Sequence, residues 1–198
     1  MHGLLNRAIE GYLCETFGRL AWESICADAG LGFSRFESLE HYDDAITERL
    51  LAAAVARLGR SRAALLEDMG TYLVVNPRLE GLRRLLRFGG ATFGDFILSL
   101  EDLPYRGRLA LPELSLPALI CEETGPGRFE LTTRWHLPGY SAVFTGILRA
   151  MADDYGTLVM IDAEERAAPD GRTEVICVRV LDGEYSRARD FHLSGQPA

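Results

Sequence analysis

The side chains able to carry chemistry are few and far apart. The 198 residues hold four histidines, at positions 2, 41, 136 and 192, and four cysteines, Cys14, Cys26, Cys121 and Cys177. No cysteines form a Cys-x-x-Cys pair, and no histidine, cysteine or acid set falls at the short spacing that zinc sites use, so no metal site is expected. There is no Gly-x-Ser-x-Gly elbow and no recognisable Cys–His spacing, so acyl transfer has no nucleophile. All 21 basic residues are arginine, and lysine is absent. That excludes a lysine Schiff base, the lysine of a phosphate-binding loop and the phosphate-pairing lysine of a protein kinase. The acid pairs read as structural: Asp43-Asp44 as a helix cap, Asp153-Asp154 as a solvated turn, Glu164-Glu165 as a surface loop. No catalytic residue can be named, and an enzyme is not expected.

Charge narrows the partners. The net charge of −8 argues against a nucleic-acid surface, which needs clustered positive charge. Arg83, Arg84 and Arg87 form the densest basic group, at the spacing of a solvated helix face. Residues 1–17 carry Arg7, Glu10 and Glu15 and do not resemble a signal peptide. Apolar runs such as Leu50–Ala56 are too short to cross a bilayer. A cytoplasmic protein with reduced thiols is expected, with no membrane partner.

The elements that must position these residues fall into two halves. Leu5, Ile9, Tyr12, Leu13 and Phe17 make an apolar stripe at helical spacing, ended by Gly18. Trp22, Ile25 and Ala29 mark a second helix. Ile46, Leu50, Leu51, Ala54, Val55 and Leu58 mark a third, closed by Gly59. Ser61 caps a fourth helix through Val75, a fifth covers Leu79–Phe88, and Thr92 caps a sixth that Pro104 stops. Strands are expected over Ala118–Glu122 and Arg128–Leu137, a helix over Ser141–Asp153, and strands over Thr157–Asp162 and Glu174–Leu181 with a turn at Pro169-Asp170-Gly171. The expected architecture is α+β, a helical N-terminal half packed on a small antiparallel sheet. One domain covers residues 1–181, with 1–60 as a helical subdomain and 61–181 as helices plus sheet. Residues 182–198 form a polar tail that frays.

Three segments carry a resemblance. Met1–Glu10 looks like the opening helix of haem nitric oxide/oxygen-binding domains, the H-NOX family. Phe93-Gly94-Asp95-Phe96-Ile97-Leu98-Ser99-Leu100-Glu101-Asp102-Leu103 resembles the helix that leads to that family's proximal haem ligand. Leu111-Pro112-Glu113-Leu114-Ser115-Leu116-Pro117 is similar to the Phe-Pro-x-Met-x-x-Pro stretch that follows. The order of elements also matches, over roughly residues 1 to 181. The resemblance implies a sensor. A haem would sit between the helical and sheet halves, held by one histidine, with a Tyr-x-Ser-x-Arg motif gripping its propionates. Gas binding would move the proximal helix, and the shift would pass to a cyclase, kinase or phosphodiesterase.

The chain departs from that pattern where the haem would be held. Pro104 stands at the histidine position. With Gly139 as anchor, the propionate motif falls on Thr133, Trp135 and Leu137, and none matches. Iron needs a donor atom, and buried carboxylates need cations and hydroxyls. Trp135, in place of a small serine, is expected to fill space. The expected pocket lining is Leu5, Ile9, Leu103, Pro104, Pro112, Thr133, Trp135 and Leu137. His136 is the alternative haem ligand if the strand register slips. The leading expectation is a stand-alone, non-enzymatic regulatory module of H-NOX type with a degenerate haem site and no cofactor. Its partner would be a signalling protein such as a histidine kinase or a cyclic-dinucleotide enzyme. A haem gas sensor with an unusual ligand, and a binding module for another small apolar ligand, are the rival expectations.

Overall fold

A computed structural model describes residues 1–168 and 171–189. Helix α1 (Gly3–Phe17) starts at His2, whose Nδ1 accepts the Leu4 N–H at 3.2 Å, and ends at Gly18 with φ of 90°. It is followed by α2 (Arg19–Asp28), α3 (Asp44–Leu58) and α4 (Arg62–Val75). Asp43 and Ser61 cap the last two, accepting from Ala45 and Ala64. A short 3-10 turn over Pro77–Leu79 leads into α5 (Glu80–Arg87). Helix α6 (Phe93–Ser99) begins with a reciprocal box in which Thr92 and Asp95 each satisfy the other's backbone N–H.

Beyond α6 the chain departs from expectation. Pro104 does not stop a helix. After a 3-10 turn over Leu100–Asp102, it lies in the first turn of a further helix, α7 (Leu103–Ala110). Its missing N–H is one that a helix start leaves unpaired in any case, and its fixed φ suits the position.

The sheet half comprises β1 (Ala118–Gly125), β2 (Arg128–Arg134), α8 (Ser141–Tyr155), β3 (Leu158–Ala168) and β4 (Gly171–Asp182). All neighbours are antiparallel, in the order β1-β2-β4-β3. Strand β2 ends at Arg134, three residues before the expected Leu137. Strands β3 and β4 run longer than expected, because their pairing continues to Ala168↔Gly171. Pro169 and Asp170 of the expected turn, and His192, lie outside the described residues.

Helix α8 forms the axis of the core. All its residues are buried except Arg149 and Asp153. It crosses α4 at backbone contact: a Cβ on Gly146 would lie 1.9 Å from the Glu67 carbonyl oxygen, and one on Gly70 would lie 2.0 Å from that of Val143. The two glycines therefore set the helix spacing from opposite sides. Around α8, Ile9 and Leu13 of α1, Phe96 and Ile97 of α6, Leu148 and Met151 of α8, and Leu131 and Ile176 of the sheet join one continuous apolar cluster.

Two surface expectations are corrected. Asp154 is not in a solvated turn, and Arg83 is not on a solvated face: each is 3% exposed. Asp154 Oδ1 accepts from Arg83 Nε at 2.7 Å, and Arg87 Nη1 lies 3.7 Å from Asp154 Oδ2. The helical register of α8 carries Asp154 inward, where α5 supplies its counter-charges. Over its described part the segment after β4 is hydrogen-bonded back to the domain. Ser186 N–H donates to Gly156 O at 3.0 Å, and Arg189 N–H to Asp154 O at 2.9 Å. No described helix is long and apolar enough to cross a membrane.

Candidate functional site

The position expected to ligate iron is built without a donor. Leu103 and Pro104 are both buried at the start of α7, and the 3-10 turn before them packs on β1. The thiol that this packing brings close is Cys121 of β1. Burial, then the charge of Glu101, pushes it up to about 12, so it stays protonated at neutral pH. The thiolate is the form that binds metal. Leu5 is half-buried and Ile9 fully buried on α1, and Pro112 is exposed in the α7–β1 segment. Two clefts lie along the sheet and its loops, and neither is lined by a helix residue. Buried apolar side chains of α1, α6, α8 and the sheet meet as one cluster. A haem held from α7 does not fit these residues, because Pro104 offers no axial nitrogen.

The expected propionate clamp lies at the exit from β2. Thr133 is the last of its three positions still on the strand; Trp135 and Leu137 follow the strand's end. The strand alternation expected to place Trp135 and His136 on opposite faces therefore does not operate. Their rings instead meet tilted by 45°, with centroids 4.5 Å apart. The His136 side chain is 55% exposed, and its Nε2 lies 2.7 Å from Asp44 Oδ2. It ties the β2 exit to the start of α3 and does not enter the core.

Thr133, Arg134, Trp135, His136, Leu137, Pro138, Glu165, Thr173 and Glu174 line a cleft of about 410 Å³. The structure thus brings four of the expected residues together, 133 and 135–137, but away from Leu5, Ile9, Leu103, Pro104 and Pro112. The cleft wall is mostly polar. Glu174 closes one side by accepting the N–H groups of Gly139 at 2.5 Å and Ser141 at 3.1 Å. Those donors belong to the start of α8, so the carboxylate acts as that helix's cap. Two buried polar atoms beside the cleft, Trp135 Nε1 and Thr173 Oγ1, have no hydrogen-bond partner.

One grouping escaped sequence reasoning. His2 and His41 pair their backbones in an antiparallel bridge, and their rings meet edge to face at 5.0 Å. Glu113, from the segment between α7 and β1, approaches with Oε2 3.8 Å from His41 Nδ1. One ligand atom from each of the three lies within 4.8 Å of the others. The residues are distant in sequence and share no motif, so no spacing rule could have found them.

The comparisons bear on the fold and lineage. The chain matches the family model described as haem-NO-binding over residues 2–163. It is 23% identical to soluble guanylate cyclase gcy-31 of Caenorhabditis elegans over 163 residues, 82% of this chain and 23% of that protein. It is 23% identical to soluble guanylate cyclase 89Db of Drosophila melanogaster over 119 residues, 60% of this chain and 18% of that protein. The chain thus spans about a fifth of the length of these curated relatives. Among solved structures it superposes on the Fe(II) unliganded H-NOX protein of K. algicida with a TM-score of 0.78 at 16% identity, covering 94% of this chain and all of that one. An oxygen-binding H-NOX domain related to soluble guanylate cyclases gives a TM-score of 0.72 at 14% identity, covering 96% and 100%.

Proposed function

Because this chain belongs to the haem-NO-binding family, we propose that it acts as a sensory and regulatory module of H-NOX type that has lost the family's haem. The observation that carries this reading is Pro104 at the ligand position, with a continuous cluster of buried apolar side chains behind it. Proline has no side-chain nitrogen, so the bond that the family's histidine would make to iron has no counterpart here. The altered clamp positions Thr133, Trp135 and Leu137 agree, since a site without iron has no propionates to hold.

The module works by contact, as a docking partner for a signalling protein such as a histidine kinase or a cyclic-dinucleotide enzyme. Guanylate cyclases among the relatives support a signalling context. The side chains support no chemistry of the module's own. The acidic balance and four free thiols fit the cytoplasm, away from nucleic acid and membrane.

Titration of the purified protein with haem tests the reading. The expected result is a spectrum equal to that of free haem, and iron far below one per chain after gel filtration. A sharp Soret band with one iron per chain would overturn it. In that event His136→Ala assigns or excludes the alternative ligand, because a band surviving the substitution removes His136.

A further inference from the structure

We propose that the outward face of the sheet binds a small, soluble phosphate monoester between Arg128 and Arg179. The site is separate from the core and does not depend on the haem-free reading.

Strand alternation puts both arginines on that face. On β2 the buried Phe129 and Leu131 face the core, so Arg128 and Glu130 face away. On β4 the buried Ile176 and Val178 do the same for Cys177 and Arg179. The register makes Arg128 and Arg179 partners across the two strands, with Gly125 beside Arg128 on β1 and Met160 beside Arg179 on β3. The Cβ atoms of such partners lie about 4.5–5.5 Å apart, and like charges so placed are destabilising. No acid relieves the repulsion. The chain has 29 acidic residues, yet among the described residues neither guanidinium is in an ion pair. Arg179 Nη2 reaches the Met160 thioether instead, 2.9 Å from Sδ, and a thioether is a weak acceptor. The outward acid on β2, Glu130, is already held by two N–H groups of Arg166, at 2.6 and 2.9 Å.

Two adjacent guanidinium groups short of acceptors suit a phosphate. A phosphate monoester carries roughly 1.5–2 negative charges near neutral pH, and its oxygens match the arginine fork. The arginines open on a cleft of about 320 Å³, which also takes in Thr124, Asp162 and Cys177. That volume suits a small ligand. Asp162 lies one row along the sheet, opposite Cys177. It repels an anion and accepts hydrogen bonds. The phosphate therefore lies at the arginine end, and a hydroxylated part of the ester at the other.

The whole chain is titrated with glycerol phosphate by calorimetry, and melted with and without it at constant ionic strength. The expected result is saturable binding of one ester per chain and a melting temperature that rises with ester concentration. Arg128→Gln and Arg179→Gln should each weaken binding about tenfold or more. Without ester, both should melt no lower than the parent, because one of two opposed like charges is gone. Arg35→Gln, at an exposed arginine elsewhere, should bind as the parent does. A response no stronger than that to sulfate, which marks an adventitious ion only, overturns the proposal. So does equal weakening in Arg35→Gln, undiminished affinity in either sheet variant, or a lower melting temperature of both unliganded sheet variants. Binding to vesicles that carry phosphatidate, without a response to the soluble ester, overturns it in favour of a lipid headgroup.

Discussion

Replacing Asp154 by alanine should be among the most destabilising single changes available in this protein. Its carboxylate sits inside, 2.7 Å from Arg83 Nε and 3.7 Å from Arg87 Nη1. Arg83 also reaches Glu80 at 2.7 Å, and the Arg87 guanidinium lies 3.4 Å from the centre of the Tyr155 ring. Removing one partner of a buried ion pair costs about 3–5 kcal/mol, and here Glu80 would compensate the buried Arg83 charge only in part. For a domain of this length that is a fall of roughly 7–12 °C in melting temperature. Thermal unfolding followed by circular dichroism reads it directly. Asp154→Asn, which keeps an acceptor but not the charge, should fall between parent and alanine. The double change Arg83→Met with Asp154→Leu should recover most of the loss, since a buried pair replaced by apolar side chains is often neutral or better. A melting temperature for Asp154→Ala within about 1 °C of the parent would refute the reasoning. So would a double variant less stable than the single one.

Other consequences follow from particular contacts. Gly146→Ala should cost about 1–3 kcal/mol by forcing α4 and α8 apart, and denaturant melts will show it as a lower midpoint; an unchanged midpoint removes the glycine from the helix crossing. Burial pushes the Cys26 thiol up to about 11 and that of Cys121 up to about 12. A thiol-reactive dye at neutral pH should therefore label these two only after unfolding, and rapid labelling of all four cysteines would contradict the burial. The Thr92 hydroxyl bonded to Asp95 holds that carboxyl below its usual range. Its stabilising effect is then complete above the unfolded aspartate pKa of about 3.9 and is lost as pH falls through the lower folded value. Comparison of melts at neutral and acid pH should show a smaller acid loss for Asp95→Asn, and equal loss in both proteins would rule Asp95 out.

The helical stripes were plain in the sequence because one face of each helix is apolar and its caps are of standard type: Asp43, Ser61 and Thr92 all cap as their residue types imply. Pro104 misled because a proline both ends one helix and suits the first turn of the next, and sequence alone does not choose between them. The exit from β2 misled for a related reason. The alternating run continues past Arg134, yet strand pairing stops there and the chain turns towards α8. Asp154 and Arg83 read as surface residues because charge is normally solvated. Only their mutual contact across α5 and α8 explains their burial. Pro104 at the ligand position was legible as a substitution, but its place in the first turn of α7 was not. The meeting of His2, His41 and Glu113 depends on a backbone bridge and a loop approach that leave no periodic trace.

The claim at the centre of this account is that the interior holds side chains where the family holds a cofactor. Native mass spectrometry of the protein purified from its own host, without added haem, tests it most directly. The account predicts the mass of the bare 21.9 kDa chain. A reproducible stoichiometric increment equal to a haem, another tetrapyrrole or another apolar organic ligand would contradict it.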